Sequence, residues 1–296
     1  PGRFLFDAGQ TPKAWNRKML NDEHLKIILY KQNSNKIFPR TGIKGGVAIT
    51  LRDSRQRFGK IGDFTPYSEL NSILKKVWNN DRDSFSTIVS SRGTFRFSDK
   101  FFEDWPQAKK KLGKGSGNMI VSNAFDRLPE VFREQGSTDK GDLKLLGRLN
   151  SHRLFRYIKR DYVLDNDYID KYKIMVPEAN GTGAIGEVLS TPLIGTPLIG
   201  ATDTFISIGP FDNRTVAENV LKYVKTRFAR TMLGVKKITQ HNPRATWIKV
   251  PMQDFTSNSD IDWTKSIAEI DQQLYKKYNL SDEEINFIET KVQAMN

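Results

Sequence analysis

The sequence contains no cysteine, so it cannot hold a disulfide framework, a thiolate metal site or a cysteine nucleophile. Its three histidines, His24, His152 and His241, stand far apart, and a zinc site would have to assemble them from distant segments. No run approaches the roughly 18 uncharged apolar residues that a membrane-spanning helix needs, and no signal-peptide core stands near the start. These absences predict a cytoplasmic protein.

The chain is rich instead in basic and aromatic side chains. Its 296 residues include 47 Lys and Arg against 34 Asp and Glu, a net charge of +13, together with 18 Phe, 9 Tyr and 5 Trp. The positive surplus is concentrated in two blocks. Residues 1–60 have 13 basic and 4 acidic side chains, and residues 107–174 have 15 basic and 9 acidic ones. Two basic blocks in a globular chain predict a polyanionic partner such as nucleic acid.

The order of apolar runs and helix caps predicts an α+β protein. At two positions Thr-Pro stands where a helix would begin, and apolar residues then recur every three or four positions. The predicted elements are a helix at 12–22, strands at 25–30 and 46–52, a helix starting at Thr65-Pro66, a strand at 201–208, a helix from Thr215 to Phe228, and helices within 261–296. Between 80 and 210, short apolar runs and scattered glycines indicate a β-rich region.

Repetitive and glycine-rich segments are predicted to be loops. The pentapeptide TPLIG occurs twice in succession at 191–200, which is too short for a repeat architecture. The segment 181–186 matches G-x-G-x-x-G, but Pro192 and Pro197 exclude the helix that a dinucleotide site needs after it. The segment 113–117 surrounds Lys114 with glycines and is a candidate for contact with phosphate.

Two segments interleave basic and aromatic side chains, as surfaces that bind nucleic acid do. They are SRGTFRF at 91–97 and GRLNSHRLFRYIKR at 147–160. Arginine can contact phosphates or guanine edges through its forked donors, and the alternative is an ordinary solvated face. The candidate DNA-binding residues are Lys44, Arg92, Arg96, Lys109, Lys110, Lys111, Lys114, Arg148, Arg153, Arg156, Lys159 and Arg160. The four arginines of 148–160 cannot all share one helical face, so some of them must point away from a core.

The segment NKIFPRTGIKGGVAI at 35–49 resembles the late part of the methyltransferase domain in Eco57I-like adenine-specific DNA methyltransferases of restriction–modification systems. In that family a [VI]-F-P segment precedes an I-K-G-G-V strand. The opening segment, 1–26, is similar to the strand and helix before it, and the closing segment, 270–289, is similar to the end of these proteins. The likeness is weakest in the middle of the chain.

The resemblance implies that this chain is the C-terminal part of a longer type II enzyme that methylates adenine N6 with S-adenosylmethionine. The family's Gly-rich cofactor turn and its Asn/Asp-Pro-Pro-Tyr/Phe motif have no counterpart here, and the sequence has no Pro-Pro pair. We therefore expect no cofactor site, no metal site and no catalytic residue in this chain, which alone would be inactive. Residues 1–60 would be the last strands and helix of a partial α/β methyltransferase sheet. Residues 61–296 would be a mixed, β-rich target-recognition domain with C-terminal helices.

By the same resemblance, Phe38 matches the phenylalanine that forms one wall around the flipped adenine. Its ring could instead only pack under the following strand. The implied partners are double-stranded DNA and the methyltransferase region of the longer enzyme, which could also be an endonuclease. Three other functions remain open: a stand-alone specificity subunit that docks on a separate methylase, an RNA-binding protein, and a metal-dependent nuclease.

Overall fold

A computed structural model describes residues 2–6, 11–31, 33–40, 43, 46–78, 83–113, 115–181, 184–237 and 239–295, with the backbone alone at residue 140. Its secondary structure mixes helices and small sheets, which confirms the α+β class. The chain forms two compact units, the first from residues 1–79 and 280–287 and the second from 80–279 and 288–296. In the described ranges no helix is long and apolar enough to cross a membrane.

The first unit contains a two-stranded sheet and two complete helices. Its elements are α1 (Lys13–Asn21), β1 (Leu25–Lys31), β2 (Val47–Arg52) and α2 (Ser68–Val77), with 3-10 helices at Gly2–Phe6 and Ser34–Lys36. The two strands pair antiparallel, from Leu25 opposite Arg52 to Lys31 opposite Val47. The predicted first helix and both strands are confirmed to within one residue at each end. The domain boundary expected at 60/61 falls inside this unit, which continues through α2.

In α2 an apolar stripe forms a buried face. Its buried members are Leu70, Ile73, Leu74 and Val77. They recur at three- and four-residue spacing, which is the spacing of one helical face. The start predicted at Thr65-Pro66 is too early, because the helix begins at Ser68. The Thr65 hydroxyl donates to the Tyr67 carbonyl at 3.0 Å, and this bond holds the preceding residues in a turn.

The second unit is built around two three-stranded sheets. One has the strand order β4–β3–β7 and the other β6–β5–β8. The strands are β3 (Asp142–Leu149), β4 (His152–Lys159), β5 (Tyr172–Pro177), β6 (Leu193–Gly195), β7 (Ile199–Ala201) and β8 (Phe205–Phe211). Three short helices precede them: α3 (Asp99–Asp104), α4 (Ala108–Leu112) and α5 (Ala124–Arg127). The region predicted to be β-rich therefore also has a helical part, and its phenylalanines share a buried core with β3 and β4.

The two TPLIG copies belong to different sheets. The first supplies β6, which pairs antiparallel with β5, and the second leads into β7, which pairs parallel with β3. The prediction of a plain loop is therefore wrong. Part of each copy becomes strand because each copy meets a different partner strand. The strand predicted at 201–208 lies at Phe205–Phe211, since β7 ends at Ala201 and a turn follows it.

The remaining helices are α6 (Arg214–Lys225), α7 (Arg227–Gly234), α8 (Ile267–Lys277) and α9 (Asp282–Lys291). Thr226 divides the helix predicted from Thr215 to Phe228, because its hydroxyl accepts the Ala229 N–H at 3.1 Å and caps α7. The predicted capping box before α9 is confirmed. Ser281 N–H donates to Glu284 Oε2 at 2.7 Å, and Glu284 N–H donates back to Ser281 Oγ at 3.4 Å.

Candidate nucleic-acid interface

The strands β3 and β4 form a hairpin that contains most of the basic and aromatic segment 147–160. They pair along their whole length, from Asp142 opposite Lys159 to Leu149 opposite His152. The turn is Asn150-Ser151, whose φ values are both positive, at 49° and 65°. Two successive positive φ values are typical of the type I′ turn, which matches the twist of a two-stranded ribbon. The segment 147–160 is therefore mostly extended, so strand alternation, and not helical spacing, decides which face each arginine occupies.

Successive side chains of a strand point to opposite faces, so the hairpin divides its residues into two sets. One set faces the core, where Leu143, Leu145 and Ile158 are fully buried. Besides the buried Asp142 and Leu146, the other set contains four basic and two aromatic side chains, and we call these six residues the hairpin face. Its members are Lys144, Arg148, Arg153, Phe155, Tyr157 and Lys159. The pairing of the strands thus brings together cations and rings that are spread over 16 positions of the sequence.

Lys144 connects the two rings of the hairpin face. Its ammonium lies 4.7 Å from the ring centroid of Phe155 and 5.6 Å from that of Tyr157. These cation–π contacts keep the charge and both rings half-buried on one surface. Sequence reasoning missed Lys144. Its position between Leu143 and Leu145 is the signal that could have found it, because alternation assigns it to the outer face.

Arg148 and Arg153 stand opposite each other next to the turn. The Arg153 guanidinium donates to the carbonyl oxygens of Ser190 at 2.6 Å and Thr191 at 2.8 Å. Burial, and then the nearby charge of Arg148, lower the pKa of Arg153 below its ordinary value. The Nε atom of Arg148 is buried and has no hydrogen-bond partner in the described part of the chain. Two like charges therefore lie close together at the turn end of the hairpin face.

Arg156 and Arg160 lie outside the hairpin face. Arg156 is on the core side, where its Nη2 donates to Glu134 at 2.7 Å and only 18% of its side chain is exposed. Arg160 follows β4, pairs with Asp165 and donates to the Val163 carbonyl at 2.9 Å. A carboxylate already matches each of these two charges, so we expect them to attract an external anion less than Arg148 and Arg153 do.

The other candidates of the second unit belong to separate segments. They and their partners are Arg92 with Asp203, Arg96 with Asn118, Lys109 with the ring of Phe102, and Lys111 with Glu130. Lys110 is exposed on α4. Lys44 and Lys114 lie outside the described residues. Of the described candidates, Arg148, Arg153 and Lys159 share the hairpin face.

An open groove of about 1070 Å³ lies at the end of the hairpin opposite to the turn. Its lining includes Arg133, Asp142, Lys159, Arg160 and Asp165. Arg133 pairs with Asp142, and Arg160 pairs with Asp165, so most of these charges are matched within the groove. Lys159 belongs both to the groove and to the hairpin face. The groove therefore continues the polar surface of the hairpin, but its lining does not indicate a particular ligand.

Phe38 lies in the first unit, just after the 3-10 helix Ser34–Lys36. Its side chain is 49% exposed, an exposure that a ring packed under β2 would not have. The ring is therefore accessible, as one wall of a base pocket has to be.

The described residues contain no group of three or more His, Asp or Glu side chains that could hold a metal ion. The segment 181–186 leads into β6 and not into a helix, so its glycines lack the strand–turn–helix context of a dinucleotide site. The hairpin face offers cations, rings and hydrogen-bond donors. No protein-family model matches the chain, and no curated protein matches it.

Proposed function

We propose that this chain is the DNA target-recognition portion of a type II restriction–modification adenine-N6 methyltransferase, and that it binds duplex DNA through the hairpin face. The observation that carries the proposal is the grouping of four cations with two rings on one face of the β3–β4 hairpin. The major groove of B-DNA is about 12 Å wide and admits a two-stranded ribbon, which the hairpin is beyond Leu146, where its pairing with β7 ends. Cations on the ribbon neutralise phosphates, while forked guanidinium groups reach base edges.

DNA binding is expected to weaken steeply with salt. If about four to six phosphates are neutralised, log K falls with log salt with a slope of roughly −4 to −5. Fluorescence anisotropy of a labelled duplex over a range of NaCl concentrations measures this slope. A slope near zero would contradict the proposal, and a preference for structured RNA in a competition assay would make the chain an RNA-binding protein.

The two sides of the hairpin are expected to contribute unequally to DNA affinity. Replacing Arg148 and Arg153 together with Ala is expected to lower the affinity about 30-fold, which corresponds to about 2 kcal/mol for two lost contacts. Replacing Arg156 and Arg160 together with Ala is expected to lower it less than about threefold, since carboxylates already pair with both charges. Anisotropy at one fixed salt concentration compares the two double variants.

Arg17 and Lys18 provide the control for the first basic block, because both are exposed on α1. If their double Ala variant loses more affinity than the Arg148/Arg153 variant, the recognition surface lies in the first unit. Equal losses from the two sides of the hairpin would mean that total charge, and not position, decides the affinity.

For the first unit we propose that it completes the sheet of the methyltransferase region and presents Phe38 to the flipped base. Support comes from the two-stranded sheet β1–β2, whose strands expose Ile28, Ile49 and Leu51. An isolated two-stranded sheet is marginally stable without further strands or helices packed on it. The same strand surface would dock on the methylase if the methylase were a separate chain. S-adenosylmethionine would bind to that region, so micromolar binding of it to this chain in calorimetry would contradict the assignment.

A further inference from the structure

Arg92 and Arg148 belong to different segments, and the turn between β7 and β8 is hydrogen-bonded to both segments. Thr202 donates its backbone N–H to the Leu146 carbonyl at 2.9 Å, and this bond holds the turn between β7 and β8 next to the end of β3. The Asp203 carboxylate of that turn accepts from Arg92 Nη2 at 2.8 Å and from Arg92 Nε at 3.2 Å. Arg92 is therefore anchored beside the strand end that contains Arg148.

Arg153 contacts the first residue of β8, directly after this turn. It stands opposite Arg148 in the hairpin, and its guanidinium carbon lies 5.4 Å from the ring centroid of Phe205, two residues after Asp203. We call Arg92, Arg148 and Arg153 the arginine cluster. Within the described part of the chain, one ion pair involves this cluster, the pair of Arg92 with Asp203. The cluster therefore keeps a surplus of positive charge.

Most donors of the arginine cluster are unused. Arg92 and Arg153 each direct two of their five N–H groups to acceptors in the described residues. The buried Nε of Arg148 also has no hydrogen-bond partner there. The adjacent like charges of Arg148 and Arg153 are unfavourable, and a bound anion would offset them.

We propose that the arginine cluster is the binding site for one phosphate group, which in the DNA complex is a phosphodiester of the backbone. The identity of the ligand rests on the DNA-binding function proposed above, whereas the site itself requires only a tetrahedral oxyanion. A guanidinium group binds phosphate through two parallel N–H···O bonds. The Ser190 and Thr191 carbonyls already orient Arg153, and Asp203 orients Arg92, so little side-chain freedom is lost on binding.

The test uses inorganic phosphate as the probe and thermal unfolding as the readout. At constant ionic strength, about 50 mM phosphate in place of chloride is expected to raise Tm by about 3 °C if the Kd of the site is about 10 mM. Arg148→Gln should abolish this shift, and Arg156→Gln, on the core side of the hairpin, should retain it. Arg153→Lys keeps the charge but loses the fork and should at least halve the shift, which keeps the test decisive if Arg148→Gln does not fold.

A second arm of the experiment measures DNA binding by the same variants. Arg148→Gln should reduce the magnitude of the salt slope by about one, and Arg156→Gln should leave the slope unchanged. A phosphate shift that is absent from the wild type, or equal in these two variants, would overturn the phosphate site whether or not DNA binds. A shift that depends on Arg148 in a chain that binds no DNA would support the site and overturn the proposed function.

Discussion

Lys173→Met is expected to lower the free energy of unfolding of the second unit by about 3 kcal/mol. Lys173 lies in β5 and is fully buried. Its ammonium donates to the carbonyl oxygens of Tyr168 at 2.6 Å, Lys171 at 2.9 Å and Thr196 at 3.1 Å. It thereby joins the turn before β5 to the segment between β6 and β7. Methionine fills a similar volume but donates no hydrogen bond, so these inward-facing carbonyls would lose their common donor.

The difference in the free energy of unfolding between the wild type and Lys173→Met is expected to depend on pH. Burial lowers the pKa of Lys173 from 10.5 to about 7. Between these values the unfolded chain holds a proton that the folded chain has released, so raising the pH stabilises the wild type relative to Lys173→Met. The deficit of the variant should widen by about 2 kcal/mol between pH 7 and pH 9. Urea unfolding at the two pH values measures this change.

Lys171→Met is the matched control, since Lys171 is half-exposed and pairs with Asp212 at the surface. It should change the free energy of unfolding by less than about 0.5 kcal/mol at either pH. If the deficit of Lys173→Met does not change with pH, the folded protein keeps Lys173 protonated. The hydrogen bonds to the three carbonyls would then stabilise the ammonium by more than burial destabilises it.

Lys173 also illustrates what sequence reasoning could not predict. The segment YKIMVP can be assigned to a strand, but lysine is rarely found fully buried, so its ammonium would be expected at the surface. The carbonyls that hold it come from turns on either side of two strands, and only the tertiary packing brings these turns together.

The helices of the last third were predictable because their signals are local. The apolar stripe of α8 and the Ser281–Glu284 pair before α9 lie within a few residues of each other. The break at Thr226 was missed because the apolar stripe continues from Val224 to Phe228 across it. Threonine occurs within helices as well as at their caps, so the sequence alone does not distinguish the two.

The candidate site was predictable in composition but not in geometry. The basic and aromatic residues of 147–160 are evident in the sequence. The turn at Asn150-Ser151, however, lacks the glycine that marks most two-residue hairpin turns, so the strand alternation was not recognised. Without that alternation, nothing distinguishes Arg153 on the hairpin face from Arg156 on the core side.

Asp271→Ala is expected to lower the free energy of unfolding by about 3 kcal/mol. Asp271 lies in α8 and is 2% exposed. Its Oδ2 accepts the Arg227 N–H at 3.0 Å and its Oδ1 accepts the Phe228 N–H at 2.9 Å, the first two donors of α7. Thr226 caps the third donor, that of Ala229. The initial N–H groups of a helix have no partner inside it, so alanine would leave two of them unpaired in the interior.

Asp271→Asn is the graded variant, because its amide keeps one carbonyl oxygen and should cost about half as much. Gln272→Ala is the control, since Gln272 is exposed next to Asp271. This substitution should change the free energy of unfolding by less than about 0.5 kcal/mol. Chemical denaturation measures all three variants. Equal losses for Ala and Asn would mean that the negative charge beside Arg230, and not the capping of α7, is the stabilising factor. Because Asp271 acts on helix packing, fully folded Asp271→Ala should bind DNA with wild-type affinity, and a weaker affinity would place this carboxylate in the binding surface itself.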